Sequence, residues 1–217
     1  LGLACLAGCT GHGKYTTEGL SQSQQRVSEL KSMNEYQQAE QAFKGGDLDK
    51  ALKSVKRCIT LNPAASKAHV LKGRILLEKS DLEGALASLQ QAEAQSPTNV
   101  DAQYYMGIVY ERFSQPENAT AKYQKAAELE PSNPQYAVAT AETMIDMGKV
   151  DEAAAFLNTR TAAFEHNAGV RQTLGHIEML KGDTKKAVAY FNEARLLAPE
   201  DSGVLEDLIR AQIALGQ

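Results

Sequence analysis

The chain is 217 residues long, with 43% hydrophobic and 23% charged residues, a balance ordinary for a globular chain with a sizeable core. Its 23 Lys and Arg against 27 Asp and Glu leave a formal charge of −4, which argues against the broad basic face that grips nucleic acid. No apolar run reaches the roughly 18 residues of a spanning helix, and only three cysteines occur, so composition excludes a multi-pass membrane protein, a disordered tail and a disulfide-stapled mini-domain.

At the start, Leu1 to Cys9 are all apolar or small, and a polar stretch rich in Gly and Thr runs from Thr10 to Ser23. The apolar run is too short to span a bilayer, and it fits the end of a signal-peptide apolar region. Leu6-Ala7-Gly8-Cys9 resembles the lipobox of bacterial lipoproteins. Small side chains at Ala7 and Gly8 let an extended backbone enter a protease cleft, and Cys9 supplies the thiol for a thioether. The resemblance implies that residues 1–8 end a signal peptide, that Cys9 is lipidated, and that residues 9–23 form a flexible tether. It also implies a membrane contact through the lipid and a periplasm-facing place in a bacterial cell envelope. Thr10 rather than Asp after the Cys favours the outer membrane. Cys5 would leave with the signal peptide, and Cys58 would remain as a lone thiol, expected to be buried.

Residues 24–217 read as one domain. Residues 21–31 contain no helix breaker and extend the first helix of this domain towards the N-terminus. Prolines then fall at 63, 97, 131 and 199, spaced by 34 or by twice 34. In the same register Ala51, Ala85, Ala119, Ala153 and Ala187 recur, and twelve residues before each stand Ala39, Gly73, Gly107, Ala141 and Gly175. Four residues after each Ala comes Val55, Leu89, Tyr123, Leu157 or Phe191. Small residues at both matched positions let two antiparallel helices approach closely, and the large residue one turn on fills the gap beside them.

Midway through each unit lies a turn signal: Gly45-Gly46-Asp47, Ser80-Asp81, Ser114-Gln115-Pro116, Gly148-Lys149 and Gly182-Asp183. Gly supplies the left-handed residue that ends a helix. Ser80 with Glu83, and Ser114 with Glu117, fit capping boxes, and Pro116 suits a first helical turn. Each inter-repeat Pro blocks continuation of the helix before it. The fourth unit departs, with Arg160 and Glu165 where Ala and Pro are expected, so its second helix is expected to be longer or to end irregularly.

This pattern resembles the tetratricopeptide repeat, with five full units over 32–201 and the start of a sixth over 202–217. The resemblance implies an all-α fold, a right-handed α-solenoid of stacked helix-turn-helix hairpins. It further implies a protein or peptide partner held on the concave face formed by the first helix of each hairpin. The family's inner positions map onto Tyr36, Val70, Arg74, Tyr104, Ile108, Glu111, Val138 and Glu142. Tyr104 and Ile108, flanked by Val70, Leu77, Val138 and Ile145, form an apolar centre that either meets a partner or packs against neighbouring repeats. The Lys, Arg and Asn set of a chaperone-binding carboxylate clamp is missing from these positions.

Catalytic, metal and cofactor motifs are not found. His12, His69, His166 and His176 are scattered, and no His-Glu-x-x-His, Cys-x-x-Cys, nucleophile-elbow or phosphate-loop spacing occurs. The expectation is a non-enzymatic, membrane-anchored adaptor without small-molecule substrate or cofactor. Two other roles stay open: a pilotin-like assembly factor for a type IV pilus or secretin, and a regulatory or substrate-presenting module of a longer enzyme. The last helix, with Leu205, Leu208, Ile209 and Ile213, is expected to present an unpaired apolar face, which favours a continuing chain.

Overall fold

The computed structural model describes residues 14–216, and Cys9 with its lipobox lies outside them. Among the described residues there are eleven α-helices and no strand. In chain order they are α1 (Lys14–Lys44), α2 (Leu48–Leu61), α3 (Ser66–Glu78), α4 (Leu82–Gln95), α5 (Val100–Arg112) and α6 (Pro116–Leu129). Then come α7 (Pro134–Asp146), α8 (Val150–Asn158), α9 (Ala168–Leu180), α10 (Thr184–Leu197) and α11 (Ser202–Leu215). Odd helices are the first arm of each hairpin and even helices the second. Each helix packs on the next in sequence, so the hairpins stack as a solenoid. The core is accordingly a chain of apolar clusters strung along the stack.

The matched small positions are where the two arms touch. Ala51, Ala85, Ala119, Ala153 and Ala187 are all fully buried, and the large residues one turn on are at most 1% exposed. Glycine stands where the facing side chain comes closest, as Leu89 does to Gly73. A Cβ added to Gly107 would stand 2.4 Å from the Tyr123 ring, and one added to Gly175 would stand 2.5 Å from Phe191. Where the facing side chain is the slimmer Val55, the small position is Ala39. Glycine at 107 and 175 therefore reflects a close approach, not backbone freedom.

Turn geometry obeys the expected plan with one correction. Gly46, Gly148 and Gly182 have φ between 75° and 82°, the left-handed conformation that ends a helix. Ser80 and Ser114 hold the same place with φ of 60° and 56°, so they are helix-ending residues and not caps. The cap of α4 is Asp81, whose carboxylate accepts from Gly84 N at 2.9 Å. Ser114 likewise precedes the cap position of α6, Gln115, whose side chain makes no capping bond, and Pro116 starts that helix. Both helices thus begin one residue later than the capping-box pattern implies.

One further boundary differs from expectation, and α8 ends irregularly as expected but shorter, not longer. Helix α1 already runs from Lys14, so residues 14–23, expected as tether, are helical. From Leu20 to Lys44 this stretch has neither Pro nor Gly and is rich in Gln, Glu and Lys, which lose little side-chain freedom in a helix. Helix α8 is only nine residues long. At the equivalent place in the other second arms Cys58, Ala92, Ala126 and Ala194 are at most 1% exposed, and an Arg there would bury a charge. The chain instead leaves the helix after Asn158. Arg160 turns back over the Phe156 ring at 3.8 Å and donates to its carbonyl at 2.9 Å. Phe164, 5% exposed, then fills the core in place of the lost helical turn.

Candidate functional site: the inner face of the first arms

The residues mapped to the inner face occupy α1, α3, α5 and α7, and the same recurring register continues into α9 and α11. Helices α5, α7, α9 and α11 line a single cavity of about 590 Å³ on this face. Glu111 of α5, Glu142, Ile145 and Asp146 of α7, His176, Met179 and Leu180 of α9, and Asp207 and Arg210 of α11 form its walls, with Phe191 of α10 behind.

The structure divides the expected residues into three groups. Val70 is 5% exposed and belongs to the core with Leu77, at 4%, so neither offers surface to a partner. Its helix is clasped between neighbouring hairpins, and a β-branched side chain there is simply interior. Tyr36, Tyr104, Ile108 and Val138 are half-buried, with one edge in the core and one at the surface. Tyr104 packs its ring 5.4, 5.6 and 5.2 Å from those of Tyr105, Tyr123 and Tyr136, and its hydroxyl accepts from Gln135 Nε2 at 2.6 Å. Burial pushes the Tyr104 phenol up, and burial likewise pushes Tyr136 up to about 12. Tyr104 is therefore the hub of an aromatic cluster that joins neighbouring hairpins, and the apolar centre is only partly open. Arg74 is already engaged, stacked 5.0 Å from the Phe43 ring and 4.8 Å from that of Tyr105.

Glu111 and Glu142 are exposed and both line the cavity. Tyr123 donates its hydroxyl to Glu111 Oε2 at 2.6 Å, which fixes that carboxylate. Glu142 is reached by solvent but enclosed by the groove walls. That enclosure pushes its carboxyl up, the charges of Glu111 and Asp146 push the same way, and His176 opposes them. On the far wall Asp207 Oδ2 accepts from Gln172 Nε2 and from His176 Nε2, each at 2.7 Å. Arg210 is paired with Glu206 at 2.6 Å.

Asp207 and Arg210 are not among the inner-face residues read from the sequence, whereas His176 shares the inner-face register of Glu142. The signal was present: the register that yields Glu142 yields His176 one repeat on and Arg210 two repeats on. In the last helix that signal is overshadowed by the apolar residues, which are present as expected. Leu205, Ile209 and Ile213 are 37%, 55% and 69% exposed, while Leu208 is buried against Phe191. Cys58 is 1% exposed beside Ser32 Oγ at 3.3 Å, and burial pushes its thiol up. Among the described residues no helix is long and apolar enough to cross a membrane, and no group of three or more His, Cys, Asp and Glu could hold a metal ion.

A stack of two-helix units of 34 residues with an open inner face defines an α-solenoid built for holding other proteins. Family models narrow this further. A TPR repeat model matches residues 73–112, and a tetratricopeptide repeat model matches residues 168–201. The chain thus carries tetratricopeptide repeats, units that serve as protein–protein interaction scaffolds. No curated protein sequence matches it significantly. Among solved structures it is similar to PilF of Pseudomonas aeruginosa, at 13% identity and a TM-score of 0.75, with 88% of this chain and 86% of that one covered. PilW, a widely conserved type IV pilus biogenesis factor, is 21% identical with a TM-score of 0.73, over 85% of this chain and 86% of that one. YrrB, a tetratricopeptide repeat protein with an unusual peptide-binding site, is 19% identical with a TM-score of 0.65, over 88% of this chain and 95% of that one. At these identities the likeness is one of fold.

Proposed function

We propose that this chain is a membrane-anchored adaptor of a bacterial cell envelope that holds a protein or peptide partner on its concave face. The observation that carries the reading is the groove itself, where four first-arm helices turn polar and apolar side chains into one cavity. Such a surface supplies shape and orientation for a bound chain. The anchor rests on the lipobox-like Leu6-Ala7-Gly8-Cys9, with Cys9 as the lipidated residue.

Two experiments test the two halves. A photo-crosslinking residue at position 108 or 142 should capture a partner in cells, and one at the second-arm position Lys125 should not. Capture only from position 125 would overturn the concave-face reading. The intact mass of the protein extracted in detergent from its own cells should begin at Cys9 and include acyl chains. An unacylated mass would remove the anchor and leave the scaffold.

A second reading is supported by the likeness to PilF and PilW over about 85% of both chains. On it, the adaptor serves assembly of a type IV pilus or a secretin. Deletion of the gene in its host should then abolish surface pili or secretin multimers, and normal assembly would exclude this role.

A further inference from the structure

The groove is lopsided in charge, and this points to the kind of partner. Its walls carry four carboxylates, Glu111, Glu142, Asp146 and Asp207, against one Arg and one His. Asp207 is satisfied by His176 and Gln172, and Arg210 by Glu206. Among the described residues neither Glu142 nor Asp146 has an ion-pair partner, and Glu111 has only the Tyr123 hydroxyl. Like charges so placed repel one another: burial raises the Glu142 carboxyl most, His176 opposes it, and Glu111 and Asp146 add to the rise. Beside them lies an apolar wall of Ile145, Met179 and Leu180, the last 59% exposed. Arg74, the other Arg at an inner-face position, is held between two rings and does not compensate.

We infer that the C-terminal half of the groove takes a peptide segment of a partner protein that presents a Lys or Arg next to a large apolar side chain. The cation would sit among Glu111, Glu142 and Asp146, gaining charge-assisted hydrogen bonds in a partly enclosed site, and would remove their repulsion. The apolar neighbour would cover Ile145, Met179 and Leu180. This inference rests on the concave-face reading and specifies its occupant.

The test is to pan a phage-displayed random peptide library on the full chain and measure the enriched peptides by fluorescence anisotropy. The comparison is with Glu142→Gln/Asp146→Asn, an isosteric change whose thermal unfolding should match the parent. Enriched peptides should pair Lys or Arg with Leu, Ile, Phe or Met. Their affinity should fall about tenfold or more in the double variant, and also as salt rises from about 50 to about 300 mM. Peptides without basic residues, or basic peptides indifferent to the double substitution, would overturn the assignment. Crosslinking from position 108 would still report a partner of other chemistry, so failure here is separable from failure of the concave-face reading. A concentration-dependent dimer in sedimentation, lost in the double variant, would assign the groove to a second copy and equally overturn the inference.

Discussion

Replacing Gly107 by Ala sets two known effects against each other, and the structure decides the sign. In the interior of an exposed helix this change gains about 1 kcal/mol from propensity. Here the new Cβ would stand 2.4 Å from Tyr123 Cε1, 2.6 Å from Cδ1 and 2.8 Å from Cζ, where ordinary contact begins near 3.4 Å. The ring would have to retreat by about 1 Å. It has no room, being 1% exposed, 5.6 Å from the Tyr104 ring, and tied through its hydroxyl to Glu111. Overpacking of a rigid group costs about 1–3 kcal/mol, and with no room to relax the upper part of that range applies. The net loss is about 1–2 kcal/mol, or a fall in Tm of about 2–8 °C for a chain of this size. Thermal unfolding followed by far-UV circular dichroism measures it. The control is the same change in a Tyr123→Val background, since Ala39 already faces Val55 with both fully buried, whereas a Leu at this place still crowds a Cβ, as Leu89 does at Gly73. There Gly107→Ala should be neutral or stabilising. A rise in Tm in the parent, or a penalty that persists unchanged once the ring is replaced by the aliphatic side chain, would refute the close-approach explanation.

Other consequences stem from single contacts. Ser114→Gly relieves a left-handed backbone at a residue with φ of 56° and should stabilise the chain by up to about 1 kcal/mol in urea unfolding. Glu93→Ala strands the amide of Gln103, which is 1% exposed and donates to Glu93 at 2.8 Å, and should cost about 1–3 kcal/mol in the same assay. Burial raises the Glu93 carboxyl, but hydrogen bonds from Gln103 and Lys122, with the charge of Lys122, outweigh it and leave it below its usual 4.5. A depressed folded-state value means that this stabilisation is full above the unfolded-state value and is lost as pH falls through the folded one. Acid unfolding of Glu93→Gln should therefore show a shallower loss of stability below about pH 4.5 than the parent. Cys58 should resist alkylation in the native state and react on addition of urea, read by peptide mass. Rapid native labelling would contradict its burial.

The fold was legible because the repeat converts weak signals into strong ones. One Gly facing one Tyr means little, but five small–large pairs at a fixed spacing specify a helix hairpin and its stacking. The irregular end of α8 was also legible, since Arg160 stands where every other unit has a small buried residue. Caps were less so: Ser and Asp are both good N-cap residues, and only the backbone angle at Ser80 shows that it ends one helix while Asp81 begins the next. The site was half legible. Register says which face a residue points to, but not how far the next hairpin leans over it. So Val70 and Leu77 disappear into the core while Glu111 and Glu142 stay open. Asp207 and Arg210 share their helix with Ile209 and Ile213, and a single turn of helix carries both a polar groove wall and an apolar outer edge. Pattern alone does not say which of the two meets the neighbouring hairpin.

The shortened α8 has a mechanical meaning. Where the second-arm layer is only nine residues long, α7 and α9 touch each other directly on the concave side. Bending of the solenoid at that seam would pivot on the inner helices, with the outer layer offering the least resistance. The groove straddles this pivot, with Glu111 and Glu142 on one side and His176 and Asp207 on the other. A ligand seated across it would act as a brace at that seam.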